Sequence, residues 1–323
     1  MILINEDDVL VHYSMKQCMS DVERAFKLSK TSKVDIPFRT ILHHKNEGEH
    51  TLYMPAYVAD LGYASIKIAS LFPGNVQHNI PMIQSVMILT ETKTGKHLAT
   101  ISASALTVLR TGAIGGLGAK YLSRSDSKIL GIVGCGAQSF GQVQAVMEVR
   151  DVKEIYLYNR TKQKALDLQE KINQTYNDRQ LNFYIVEDAD EAVKEADIVV
   201  SSTSSNIPVF SGQYIKPGTH VNAIGSCAPE KQEYDVELLK KAGKVVVDTY
   251  EGAIEEAGGL INPVRNGEWS MDNIYGELAD IILQEKEGRT SSDEITLLDS
   301  VGVGYLDTVC AASIYEIIKS NSG

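Results

Sequence analysis

The segment Lys128-Ile-Leu-Gly-Ile-Val-Gly134-Cys-Gly136-Ala137-Gln138-Ser139 constrains this chain more than any other stretch. A short apolar run leads into a glycine turn and then into the start of a helix. Gly134 permits the turn, Gly136 lets the backbone approach a pyrophosphate, and the N–H groups that open the helix attract its charge. Glu154-Ile-Tyr-Leu-Tyr-Asn159 supplies a second strand at the spacing of a βαβ unit, which argues against a mere glycine-rich surface turn. The pattern predicts a Rossmann unit.

The residues after that second strand bear on the cofactor. NAD sites usually place Asp or Glu there to accept hydrogen bonds from the ribose hydroxyls. This chain has Asn159-Arg160-Thr161-Lys162. Asn159 does not repel a 2′-phosphate, Arg160 can grip one with its planar fork, and Thr161 and Lys162 add a hydroxyl and a charge. NADP(H) is the favoured cofactor, with NAD(H) left open. The plainer alternative is that Arg160 and Lys162 are solvated charges at a helix start. Two cations there oppose the helix dipole, so a compensating anion is expected.

Strand and helix continue to alternate downstream. Strands are expected at 182–187, 197–203, 220–225 and 244–248, and helices at 162–175, 189–196 and 230–242. Six strands with intervening helices fit one doubly wound domain. The first hundred residues have a different texture. Asn5 can cap a short helix, and Ser14 precedes an amphipathic run with Met15, Cys18, Met19, Val22, Ala25, Phe26 and Leu28 at helical intervals. Strands at 38–43, 51–57, 64–69, 86–90 and 97–101, with a hairpin turn at Lys93-Thr-Gly-Lys96, predict a mostly antiparallel sheet. A helix from Ser104 to Leu122 carries Gly112, Gly115, Gly116 and Gly118. Each glycine costs a helix on the order of 1 kcal/mol, which close approach of a cofactor or close helix packing would offset equally well. A last helix, 300–319, is expected to return to the first domain.

Composition narrows the class. A chain of 323 residues has room for about two domains of ~150 residues. Its formal charge of −11 argues against a nucleic-acid or anionic-membrane surface while leaving room for a small basic pocket. The cysteines, Cys18, Cys135, Cys227 and Cys310, form no CxxC, and His43-His44 reads as loop, so no metal site is expected. Acids follow the N-terminus where a signal peptide has basic residues, and no apolar run reaches about eighteen residues. A reduced, soluble, cytoplasmic protein is the expectation.

Three cations lie in apolar or turn contexts: Arg39 after Ile36-Pro37-Phe38, Lys67 in Ala64-Ser-Ile-Lys-Ile-Ala-Ser70, and Arg110 in Leu106-Thr-Val-Leu-Arg-Thr-Gly-Ala113. Strand alternation puts Lys67 on the face of Ser65 and Ala69. A buried charge is costly unless paired, so three cations facing one cleft would suit a carboxylate. Lys67 could also move a proton, since burial shifts a lysine readily. Taken singly, each is equally well a structural ion pair or a snorkelling side chain.

The chain resembles the ornithine cyclodeaminase and mu-crystallin family. The matching residues are Met54-Pro-Ala-Tyr57, Lys67, Leu109-Arg110-Thr111-Gly-Ala113, Gly134-Cys-Gly136-Ala137-Gln138, Asn222-Ala-Ile224-Gly225, and Gly288-Arg-Thr290 through Gly302. The resemblance spans essentially the whole chain. It implies an α/β fold in which a Rossmann domain, 116–289, is inserted into a discontinuous substrate-binding and dimerisation domain, 1–115 plus 290–323. It implies that Arg39, Lys67 and Arg110 hold the substrate carboxylate and that the nicotinamide lies over that site. The expected cofactor contacts are Thr111, Gly134, Gly136, Ala137, Gln138, Asn159, Arg160, Thr161, Lys162, Ser202, Thr203, Ile224 and Gly225. A homodimer built on the N-terminal sheet is expected.

Family membership leaves the reaction open. Where cyclodeaminases resemble one another in Gly-Gly-Asp-Cys-Pro-Gly-Lys, this chain has Gly225-Ser-Cys227-Ala-Pro-Glu-Lys231, so Cys227, expected beside the substrate, takes the place of the aspartate. Where they carry a Glu before Leu-Met-Pro, this chain has Leu52. A neutral thiol does not replace a carboxylate base without strong activation. Mu-crystallin-like ketimine reductases also lack the aspartate and resemble this chain in Asn159-Arg-Thr-Lys162. The reading is an NADPH-dependent reductase of an imino acid that yields an L-amino acid, with Lys67 and Arg110 as catalytic residues. The alternatives are an ornithine or lysine cyclodeaminase with bound NAD, an alanine dehydrogenase-type enzyme, and an NADPH-binding protein without useful turnover.

Overall fold

The computed structural model describes residues 1–37, 39–46, 48–225 and 228–321. The chain divides into two compact units: residues 1–110 together with the C-terminal segment from Gly304, and Thr111–Val303.

The first unit is a mostly antiparallel sheet packed against helices. In chain order it contains β1 (Ile2–Ile4), α1 (Glu6–His12), α2 (Met15–Thr31), β2 (Val34–Asp35), β3 (Thr40–His43), β4 (His50–Val58), β5 (Tyr63–Leu71), β6 (Ile83–Glu91), β7 (His97–Ser102) and the start of α3 (Ala103–Leu122). The strand order is β1-β7-β6-β5-β4-β2, and β3 also pairs with β4. All pairs are antiparallel except β1 with β7. Asn5 and Asp8 form a reciprocal capping box on α1, and Ser14 caps α2 through the Gln17 N–H. The apolar stripe expected on α2 is buried, from Met15 to Phe26. The C-terminal helix, Gly304–Asn321, lies on α2, β4 and β5. It is fixed there by edge-to-face rings of Phe26 and Tyr305 at 6.2 Å, a Ser65–Thr308 hydroxyl pair at 2.7 Å, and a Tyr63-to-Glu316 hydrogen bond of 2.6 Å.

The second unit is doubly wound. It contains β8 (Ile129–Val133), α4 (Ser139–Val149), β9 (Glu154–Tyr158), α5 (Lys162–Thr175), β10 (Asn182–Ile185), α6 (Ala189–Glu195), β11 (Ile198–Ser201), β12 (His220–Ala223), α7 (Val236–Lys241), β13 (Lys244–Val247), α8 (Tyr250–Glu256), α9 (Gly258–Arg265), β14 (Ile274–Glu277), α10 (Leu278–Ile282) and β15 (Thr296–Asp299); the C-terminal helix above is α11. Every strand pair is parallel, in the order β10-β9-β8-β11-β12-β15-β13-β14. The chain runs from β8 outward to β10 and resumes on the other side of β8 at β11, so the topological switch lies between β8 and β11. β8, β11, β12, β13 and β15 are buried along almost their whole length, as expected of strands covered on both faces.

Three details differ from the sequence reading. The sheet has eight strands rather than six, because β14 and β15 join it and β15 sits between β12 and β13. Residues 290–303 therefore contain a central strand of the second unit, which a boundary at 290 assigns to the first. The last helix begins at Gly304 and not at Ser300. Asp248 holds the Ser300 hydroxyl at 2.8 Å and the Gly302 N–H at 2.6 Å, and Gly302 takes a left-handed φ of 82° that a helix does not continue through.

The glycines of α3 that lie in the second unit have a packing role. A Cβ on Gly115 would lie 1.9 Å from Gln142 Oε1, and one on Gly118 would lie 2.6 Å from both Asn222 Oδ1 and Leu298 Cδ2. The helix comes close enough for Gln142 Nε2 to donate to the Thr111 carbonyl at 2.8 Å and Asn222 Nδ2 to the Gly115 carbonyl at 2.9 Å. Of the two explanations left open for these glycines, close packing is the one seen at Gly115 and Gly118.

Candidate active site

Strand register brings two of the three cations of the first unit, Arg39 and Lys67, onto one face, and Arg110 comes from helix α3. Met54 of β4 and Met87 of β6 flank Lys67 of β5 directly. Thr40 pairs with Tyr53 and Ile41 with Leu52, so one step before β3 the same register puts Arg39 opposite Met54. Arg39, Met54, Lys67 and Met87 thus form one row. Helix α11 covers the row on one side, where Ala56, Ser65 and Leu89 are buried. On the other side the row Leu52-Ala69-Ser85 is only partly buried and carries no charge.

Helix α11 also supplies a residue that the sequence reading missed. Asp307 Oδ2 accepts from Lys67 Nζ at 2.5 Å, and Asp307 Oδ1 accepts from Arg110 Nε at 3.1 Å. The side chains are 6%, 11% and 3% exposed for Lys67, Arg110 and Asp307, so the triad is desolvated. Burial alone would push the Asp307 carboxyl up. Lys67 and Arg110 outweigh it and hold the carboxyl below the ordinary carboxylate range. Burial pushes Lys67 down; Asp307 opposes that, while Arg110 and Arg39 add to it. With one carboxylate among three cations the site keeps a net positive charge, which suits a carboxylate ligand. A sequence signal for Asp307 existed: it is the one charged residue between Gly302 and Glu316, inside a helix otherwise apolar or small.

In the second unit the predicted glycine turn follows β8 at the switch point. Gly134 has φ 93°, and a Cβ there would lie 2.8 Å from both the Ser202 carbonyl oxygen and Thr203 Cγ2. Only glycine fits this turn without strain. Gly136 is different, since a Cβ would meet no atom within 4 Å. The N–H groups of Gly136, Ala137 and Gln138 have no hydrogen-bond partner among the described residues, and Gly136 and Ala137 are exposed. Gln138 ends the turn as the N-cap of α4 without a side-chain cap, and its Oε1 is buried without a partner among the described residues. Open amides at the start of an eleven-residue helix, over an unobstructed glycine, fit the pyrophosphate of a dinucleotide.

The other predicted cofactor residues of this unit cluster at the same end of the sheet. Ser202 and Thr203 follow β11, and Ile224 and Gly225 follow β12. A second residue missed from the sequence ties these two ends together. Glu233, fully buried, accepts from the Ser201 hydroxyl at 2.7 Å, the Thr203 N–H at 2.5 Å and the Gly225 N–H at 2.8 Å. Burial raises its carboxyl, and these donors work against that rise.

Asn159 braces the glycine turn. Its Oδ1 accepts from the Cys135 N–H at 3.0 Å and its Nδ2 donates to the Thr161 carbonyl at 3.0 Å. Arg160 is exposed, Thr161 is the N-cap of α5 without a side-chain cap, and Lys162 meets Glu187 at 3.7 Å with both side chains largely exposed. Thr111 is buried in α3, its carbonyl held by Gln142 of α4. Cys227, expected beside the substrate, lies outside the described residues. Among the described residues no group of His, Cys, Asp and Glu could hold a metal ion, and no helix is long and apolar enough to cross a membrane.

Several known proteins are similar to this chain over nearly its whole length. Over 316 residues the chain is 35% identical to the Delta(1)-pyrroline-2-carboxylate reductase of Bacillus cereus, covering 98% of this chain and 96% of that protein. Among solved structures it is similar to the Delta(1)-pyrroline-2-carboxylate reductase of Thermococcus litoralis in complex with NADH and L-proline, with a TM-score of 0.94, 35% identity, and coverage of 100% of this chain and 98% of that one. It is also similar to an archaeal alanine dehydrogenase dimer with bound NAD, with a TM-score of 0.90, 35% identity, and coverage of 99% and 97%. The sequence profile of the ornithine cyclodeaminase/mu-crystallin family matches residues 1–322, and the chain therefore belongs to that family.

Proposed function

We propose that the protein is a nicotinamide-dependent reductase of a cyclic imino acid, with Δ1-pyrroline-2-carboxylate as the first substrate to test and an L-amino acid as product. The observation that carries the reading is the buried cluster of Lys67 and Arg110 on Asp307, with Arg39 in the same row. The likeness to two reductases of that substrate supports it.

In this reading Arg39, Lys67 and Arg110 hold the substrate carboxylate and so fix the prochiral carbon, and orientation of this kind is worth several orders of magnitude in rate. The adjoining row of Leu52, Ala69 and Ser85 offers no anion for a distal ammonium, which suits a pyrroline or piperideine ring better than an ornithine tail. Gly134, Gly136, Ala137 and Gln138 receive the pyrophosphate, and the loops after β11 and β12, held by Glu233, form the rest of the cofactor crevice. A nicotinamide bound there supplies the hydride. Lys67 supplies the proton that completes the C–N bond as an amine.

NADP(H) is proposed as the preferred cofactor. Asn159 leaves no carboxylate to repel a 2′-phosphate, and Arg160 is exposed beside it. A homodimer is proposed on the N-terminal sheet, where Leu3, Ile41, Leu42 and Ile83 are exposed, in line with the dimeric alanine dehydrogenase. The same likeness favours a second reading, reductive amination of a small 2-keto acid, because a short tail needs no distal anchor.

The test is absorbance at 340 nm with NADPH or NADH and four substrates: Δ1-pyrroline-2-carboxylate, Δ1-piperideine-2-carboxylate, and pyruvate with ammonia or with methylamine. Oxidation of the cofactor with appearance of L-proline or L-pipecolate supports the first reading, and turnover of pyruvate alone supports the second. A protein that leaves both cofactors unoxidised with all four contradicts both.

A further inference from the structure

We propose that Asp307 is a positioning residue that holds Lys67 in its ammonium form toward the substrate. This inference rests on the imino-acid reductase reading and assigns a part to a residue outside the three cations. The geometry is specific. One carboxylate serves both cations, each through a different oxygen, at 2.5 and 3.1 Å, from a helix that also anchors itself one residue later through Thr308 to Ser65. The packing of α11 on β5 and the Ser65–Thr308 pair thereby fix the backbone that carries Asp307.

The charges around Lys67 explain why such a residue is needed. From β3's leading residue comes Arg39, from α3 Arg110, and from α11 Asp307; Met54 and Met87 flank it within the sheet. Burial and two neighbouring cations all favour the neutral amine, and Asp307 alone among these groups favours the ammonium. Reduction of an imine needs one proton at nitrogen for each hydride at carbon. In this scheme an Nζ–H bond of Lys67 breaks as the new N–H bond of the substrate forms, the hydride adds to carbon, and Lys67 regains its proton from solvent between turnovers. A neutral Lys67 could neither give that proton nor grip the carboxylate.

The prediction is a displaced alkaline limb. In the wild type kcat/KM for Δ1-pyrroline-2-carboxylate falls as Lys67 loses its proton. In Asp307→Asn that fall moves to lower pH by at least about one unit, so activity is down ~10-fold or more near pH 9 yet within ~3-fold of wild type near pH 6.5. Asp307→Glu restores part of the limb. Lys67→Arg keeps a charge that does not titrate in this range but gives no proton, so it loses reduction and binds pyrrole-2-carboxylate without an alkaline limb. A variant less active by the same factor at every pH would show a merely structural role and overturn the proposal. So would a Lys67→Arg protein whose binding of pyrrole-2-carboxylate keeps the wild-type alkaline limb, a result that does not require Asp307→Asn to fold. Binding of pyrrole-2-carboxylate, an inert planar carboxylate, is followed by calorimetry over the same pH range. If the wild type reduces no imine but binding weakens at lower pH in Asp307→Asn than in wild type, the reductase reading fails and the role of Asp307 stands. If the wild type neither reduces nor binds, both fall.

Discussion

Lys67 and Asp307 are 240 positions apart in sequence, and their side chains meet at 2.5 Å in the interior of the first unit. Removing one member of a buried ion pair leaves the other charge uncompensated. Asp307→Asn leaves two such charges and is expected to cost roughly 3–5 kcal/mol. The Asp307 carboxyl is held below its ordinary value, so its contribution is complete above the unfolded pKa near 4 and fades as pH falls through the lower folded value. Urea denaturation of wild type and variant should show a constant gap between about pH 5 and pH 7 that narrows below about pH 4. A gap already closing at pH 6 would mean that another group sets it.

The two glycines of the turn after β8 should separate stability from cofactor binding. Gly134→Ala forces a side chain into a left-handed backbone against Ser202 and Thr203, and is expected to lower the melting temperature by several degrees. Gly136→Ala has open space around it and should melt like the wild type while raising the KM for the nicotinamide cofactor about tenfold or more. Equal melting temperatures for the two variants would contradict the assignment.

Arg160→Ala should discriminate between cofactors. Loss of a charge-assisted contact to the 2′-phosphate is expected to weaken NADPH by about 1.5–3 kcal/mol and leave NADH nearly unchanged. If titration shows both cofactors weakened alike, Arg160 does not read the 2′-phosphate.

Asp299, at the end of β15, is raised by burial from 3.8 to about 7, with Tyr234 donating to its Oδ2 at 2.5 Å. Here the folded value lies above the unfolded one, so the contribution is present below about pH 4 and is lost as pH rises to about 7. Relative to Asp299→Asn, the wild type should lose stability across that window and run parallel to the variant above it. Parallel curves throughout would place the carboxyl near its unfolded value.

Much of this was legible in the sequence, and what was not has identifiable causes. The buried strands β8, β11 and β13 announce themselves as largely apolar runs, and Gly134 and Gly136 announce the turn. β15 did not stand out, because its place between β12 and β13 is set by a crossover, not by adjacent sequence. Arg39, Lys67 and Arg110 were readable as costly charges in apolar surroundings. Asp307 was hidden because it lies beside the apolar stripe of its own helix, and its partners come from β5 and α3. Glu233 was hidden for the same reason: its three donors belong to the ends of two other strands. The bracing of the glycine turn by Asn159 was not legible either, since its partners, Cys135 and the Thr161 carbonyl, lie on backbone that only the fold brings beside it.

The central claim is that the cations of the first unit hold a substrate carboxylate for imine reduction. It is tested most directly by comparing kcat/KM for Δ1-pyrroline-2-carboxylate with that for 1-pyrroline, the same ring without the carboxylate, in the wild type and in Arg110→Ala. The account predicts that wild type prefers the acid by ~100-fold or more and that Arg110→Ala loses most of this preference. Equal turnover of the two imines by the wild type, or an Arg110→Ala enzyme that keeps the full preference, would contradict it.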